Sequence, residues 1–139
     1  MRTMRLLALL LCFGWPLFGA EEPHGAGGGT PASKGFKNVA VEEFDKLRAD
    51  KQKQVLDVRT ASEFARGHIP GAVNIDVNGA DFEKKVAVLD KDKTYLVNCA
   101  AGVRSARACG KMSQWKFTNL YNLEGGFQAW EKAGKAVEK

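Results

Sequence analysis

Cys99 is followed by Ala100, Ala101, Gly102, Val103, Arg104 and Ser105. A thiol attacks only as its thiolate, so its neighbours matter through what they do to its proton. Gly102 lets the chain turn tightly. A loop curled at a helix N-terminus points backbone N–H groups inward, where they and the helix dipole favour negative charge. Arg104 adds a permanent cation able to grip an oxyanion. These residues describe a six-residue anion-binding loop, 99–104, with Cys99 as covalent nucleophile and Ala100, Ala101, Gly102, Val103, Arg104 and Ser105 around its substrate. The plain alternative is a small buried hydrophobe, which needs neither Gly three positions on nor Arg five positions on.

Loop size narrows the chemistry. Cysteine phosphatases place five residues between Cys and Arg, whereas four intervene here. The smaller cradle suits a persulfide or sulfane sulfur better than a tetrahedral phosphoryl group, which argues against a phosphatase or arsenate reductase. Cys109 shares an apolar helix face with Ala106 and Met112 and reads as core. A bridge from Cys99 to Cys109 would need Cα atoms within about 7 Å, too close for a loop residue and one more than a turn inside the next helix. With two histidines and no paired cysteine spacing, a zinc site is not expected. His68 lies in the turn-rich segment 67–71 and reads as structural rather than as a base, since a low-pKa thiolate needs none. Glu124, Gly125 and Gly126 are placed at the pocket border. Trp115, Phe127 and Trp130 are read as core or rim aromatics.

The elements that must position this loop alternate. Helical spacing covers 41–49, through Val41, Phe44 and Leu47, and 82–89, through Phe82, Val86 and Leu89. Short helices are expected over 61–66, stopped by Gly67, and over 105–114 and 127–133. Apolar runs at 55–58, 72–75, 95–98 and 120–123 read as buried strands. Such alternation implies an α/β fold with a mostly parallel sheet, whose ligands bind beyond the carboxyl ends of the strands. Residue 99 directly follows such a strand.

At these residues the chain resembles the rhodanese family. The loop fits that family's Cys-x-x-Gly-x-Arg-Ser/Thr pattern. The segment from Asp57-Val58-Arg59 through Gly67-His68-Ile69-Pro70-Gly71-Ala72 looks like a second hallmark, and Asn122-Leu123-Glu124-Gly125-Gly126-Phe127-Gln128-Ala129-Trp130 like the third. The resemblance implies a rhodanese-like five-stranded parallel sheet flanked by helices, and a single-domain sulfurtransferase working through a Cys99 persulfide without cofactor or metal. It implies a small sulfur donor (persulfide, polysulfide or thiosulfate) and a thiol or cyanide acceptor. Asp57, Arg59 and His68 become loop support, with Arg59 pairing with Glu63. Many thiosulfate-using members carry a basic residue where this chain has Ala100, so thiosulfate is expected to be a poor donor. A persulfide carrier that serves a partner protein without turnover is the alternative function.

The first residues stand apart. Arg2 and Arg5 precede an apolar run over 6–18, closed by Gly19 and Ala20. That predicts a signal peptide at 1–20 and a periplasmic or secreted protein; the alternative is an uncleaved membrane anchor. Phe18 departs from the small residue usual at a cleavage site, and Cys12 lacks the small neighbour of a lipid-modified cysteine. Residues 21–35, rich in Gly, Pro, Ala and Ser, read as a flexible linker, and the domain is expected over 36–139. An oxidising compartment threatens a free thiolate, so a thiol reductase is an expected partner. The net charge of +5 falls to +3 on cleavage, and its lysines are scattered among acids. No basic block is interleaved with aromatics, so nucleic acid is not an expected partner.

Overall fold

The computed structural model describes residues 35–139; the expected signal peptide over 1–20, its membrane-anchor alternative and the expected linker up to residue 34 lie outside the described residues. Among the described residues five strands alternate with five helices: β1 (Lys37–Val39), α1 (Val41–Arg48), β2 (Gln54–Asp57), α2 (Ala61–Arg66), β3 (Val73–Asn74), α3 (Phe82–Ala87), β4 (Tyr95–Asn98), α4 (Val103–Gln114), β5 (Leu120–Leu123) and α5 (Gly126–Lys132). The strand order is β1-β5-β4-β2-β3, and every pairing is parallel.

β4 is the central strand, and all four of its residues are buried, as a parallel strand covered on both faces requires. Successive side chains point to opposite faces. Tyr95 and Val97 join a cluster with Phe82 and Val86 of α3 and Ala108, Cys109 and Met112 of α4. Leu96 joins Phe44 of α1 and Phe127 and Trp130 of α5 on the other side. The two layers meet across the strand that delivers Cys99.

The departures from the sequence reading have local causes. Periodicity showed no strand at β1, whose three residues bury only Val39; it is an edge strand defined by pairing with β5. At the opposite edge β3 is only two residues long, inside the run 72–75. α4 begins at Val103, and its buried face is Ser105, Ala108, Cys109 and Met112. Ala106 is half-buried beside that face. Gly35, assigned to the linker, packs against Ser113, with no room for a side chain. Cys99 and Cys109 are both buried and unbridged.

Candidate active site

β4 stops at Asn98 and α4 starts at Val103, so Cys99 lies at the carboxyl end of the central strand. Gly102 occupies the N-cap position with φ +100°, and no side chain caps the helix. The first N–H groups of α4, which lack partners within a helix, are therefore open to the thiol. The Gly102 N–H donates to Cys99 Sγ at 3.0 Å, and the Ser105 hydroxyl donates at 3.3 Å. Burial pushes the Cys99 thiol up. Hydrogen bonds from the Ser105 hydroxyl and from the Ser105, Gly102 and Ala101 N–H groups outweigh that and hold it below the ordinary thiol value. Cys109, in the same buried cluster on α4 but without such donors, is pushed up by burial. The geometry thus separates a poised thiol from an inert one.

A second helix start braces the loop from behind. The N–H of Phe127 donates to the Cys99 carbonyl at 2.7 Å, and that of Gln128 to the Ala100 carbonyl at 3.0 Å. This approach requires glycine at residue 126, where φ is +59° and a Cβ would lie 2.6 Å from the backbone of Cys99 and Ala100. Gly125 and Gly126 lie against the backbone of the loop, whereas Glu124, grouped with them at the pocket border, is exposed and donates its N–H to the Val39 carbonyl. Phe127 and Trp130 are core residues, and Trp115 packs at the edge of the opposite cluster.

Arg104 differs from its expected role as a free oxyanion grip. Both guanidinium ends contact Glu63 of α2, Nη1 to Oε1 at 2.9 Å and Nη2 to Oε2 at 3.0 Å. The Arg104 hydrogen bonds bring the Glu63 carboxyl from 4.5 down to about 2. Thr60, which caps α2 by accepting from the Glu63 N–H, also donates its hydroxyl to this carboxylate. Ala101 and Val103 are exposed and Ala100 is half-buried, so these loop positions offer apolar surface and backbone. A groove of about 500 Å³ runs beside Ala100, between Glu63 and Arg66 of α2 and Phe127 and Gln128 of α5.

The expected pair of Arg59 with Glu63 is not formed. Arg59 turns inward, is 4 % exposed, and donates Nε and Nη2 to the Asp57 carboxylate at 2.6–3.0 Å. It also donates to the Gly67 carbonyl at 2.7 Å, and its guanidinium stacks 4.3 Å from the Phe127 ring. A buried carboxylate at a strand end takes the nearest buried cation, and Glu63 is left to Arg104. The Asp57 side chain thus braces Arg59 and makes no direct hydrogen bond to the loop. His68 is further removed. Its ring stacks on Phe64 at 3.8 Å with Nδ1 against the Phe64 carbonyl, while its backbone pairs with Glu138. It tethers the C-terminal segment, and it does not touch the loop.

The sequence reading missed two side chains that hydrogen-bond to the loop. Glu63 stands 41 positions before Arg104, a separation carrying no local signal. Asn122 reaches the Gly102 carbonyl from β5; an Asn inside the apolar run Leu120-Tyr121-Asn122-Leu123 was the available sign.

Residues 40–133 match the model of the rhodanese-like domain. The chain is 40 % identical over 98 residues to the putative sulfurtransferase YtwF of Bacillus subtilis, covering 70 % of this chain and 90 % of that protein. It is 32 % identical over 98 residues to the thiosulfate sulfurtransferase GlpE of Shewanella oneidensis, covering 70 % and 95 %. Among solved structures, a rhodanese-related protein of Thermoplasma volcanium superposes with a TM-score of 0.65 at 32 % identity, covering 73 % of this chain and 97 % of that one. With sheet, loop and relatives in agreement, the chain belongs to the rhodanese-like family.

Proposed function

We propose that this protein is a sulfurtransferase that carries sulfur as a Cys99 persulfide. The observation that carries the reading is the thiol at the end of β4, surrounded by N–H and O–H donors that favour its anion. The thiolate attacks the outer, sulfane sulfur of a donor. The new S–S bond forms as the donor's own bond to that sulfur breaks, and the donor departs with the electron pair, as a thiolate from a persulfide or as sulfite from thiosulfate. The loop N–H groups then face the charged outer sulfur. An acceptor thiolate takes that sulfur, and Cys99 leaves as thiolate, which gives ping-pong kinetics.

The relatives' names speak for sulfur transfer; the donor is this chain's own question. Ala100, Ala101 and Val103 supply no cation, and Arg104 is matched by Glu63. A dianionic donor therefore meets little attraction, and persulfides or polysulfides are the favoured donors. Incubation with thiosulfate and with glutathione persulfide, followed by intact mass, tests both statements. A gain of one sulfur, larger with the persulfide and lost in Cys99→Ser, is expected. No gain with any donor defeats the mechanism, and a higher specificity constant for thiosulfate defeats the donor preference.

A persulfide carrier is the second reading, because the donors that favour the Cys99 thiolate would also hold its persulfide. Multiple turnover with cyanide decides for the enzyme, and a single loading that stalls decides for the carrier.

A further inference from the structure

Behind the loop, one buried polar side chain breaks the apolar pattern of its strand. Asn122 of β5 is 3 % exposed. Its amide nitrogen donates to the Gly102 carbonyl at 3.3 Å and to Asn38 Oδ1 at 2.9 Å. Asn38 is the residue paired with it on β1. The Asn122 Oδ1 is buried with no hydrogen-bond partner among the described residues. Only this orientation of the amide serves the site, because the Gly102 carbonyl accepts and cannot donate.

A buried carbonyl oxygen without a partner opposes folding, and an aliphatic side chain at this position would avoid that cost. Such an exception to core chemistry points to a task for the donor half of the amide. The task is visible in what Asn122 holds. Gly102 gives Cys99 Sγ its nearest donor, with its backbone in the left-handed region. The Gly102 carbonyl is also the acceptor of the first turn of α4, from the Ala106 N–H at 3.2 Å.

We propose that Asn122 is a positioning residue of the nucleophile loop: it anchors the Gly102 carbonyl to β5, so that the Gly102 N–H stays aimed at Cys99 Sγ. Asn38 fixes the amide from the edge strand, so β1 and β5 together set the geometry of a loop that belongs to β4 and α4. The inference rests on Cys99 being the working thiol but not on its carrying sulfur.

The test follows the rate of iodoacetamide alkylation of Cys99 against pH in the full chain, read by mass on the Cys99 peptide. Asn122→Leu removes the donor and keeps the branched shape of the side chain. Its midpoint should rise by about half a pH unit or more, equivalent to a threefold or greater loss of thiolate below the midpoint. Asn38→Ala changes an exposed side chain, keeps the fold, and loosens the same amide; it should shift the midpoint in the same direction by less. A residue that only supports the fold would lower Tm and leave the midpoint in place. Unchanged midpoints in both variants overturn the proposal, and so does an unchanged midpoint in Asn38→Ala if Asn122→Leu fails to fold. Alkylation uses no sulfur donor, so this inference and the persulfide mechanism fail separately.

Discussion

At the scale of the residue, the difference between Cys99 and Cys109 is the number of donors facing the sulfur. Both are buried on the same side of the sheet. Cys99 has the Ser105 hydroxyl and the loop N–H groups; burial, and after it the Cys99 charge, raises Cys109. A hydrogen bond to an ionised group contributes about 1.5–3 kcal/mol. Ser105→Ala, which leaves the N–H donors in place, should therefore raise the alkylation midpoint of Cys99 by about one pH unit. Below that midpoint alkylation slows about tenfold, and above it wild type and variant converge. Alkylation rates across pH check this, and a midpoint that does not move would assign the thiolate to the backbone alone.

At the scale of the element, two helix starts meet at one loop. α4 offers its N–H groups to the sulfur, and α5 offers its own to the carbonyls of Cys99 and Ala100. Their approach is set by Gly126, whose left-handed backbone and 2.6 Å clearance exclude a side chain. Gly126→Ala should destabilise by about 1–3 kcal/mol from backbone strain and contact. It should also cut the rate of sulfur loading more than its Tm loss explains, since the displaced atoms are the backbone of Cys99 and Ala100. Denaturant unfolding alongside loading kinetics separates the two effects. A variant that loads at the wild-type rate would show that α5 braces the loop without setting its geometry.

At the scale of the whole molecule, Glu63 and Arg104 tie α2, which buries none of its own residues, to the start of α4. The Glu63 carboxyl titrates near 2 in the folded protein and near 4.5 otherwise. A folded value below the unfolded one means that the pair stabilises fully above about pH 5 and loses that contribution as pH falls toward 2. Both side chains are partly exposed, so the contribution is about 1 kcal/mol. Thermal unfolding of wild type and Glu63→Gln should differ at pH 7 and converge near pH 2. A constant difference across that range would place the effect of the substitution in packing instead of charge.

The order of strands and helices was legible because buried strands and amphipathic helices carry their own periodicity. β1 and β3 were hard to bound because an edge strand of two or three residues is defined by its partner rather than by its pattern. Glycine at residue 102, a thiol before it and Ser105 after it marked the nucleophile loop in local sequence, where spacing along the chain fixes proximity. Partner choice was decided only in three dimensions. Arg59 is near Glu63 in sequence, yet burial gives it to Asp57, and Glu63 closes on Arg104 from 41 residues away. The chain alone thus singled out the thiol proposed as the nucleophile. The packing of β5, α5 and α2 around it decided which groups hold it, because contacts between distant segments exist only once the sheet has brought the strand ends together.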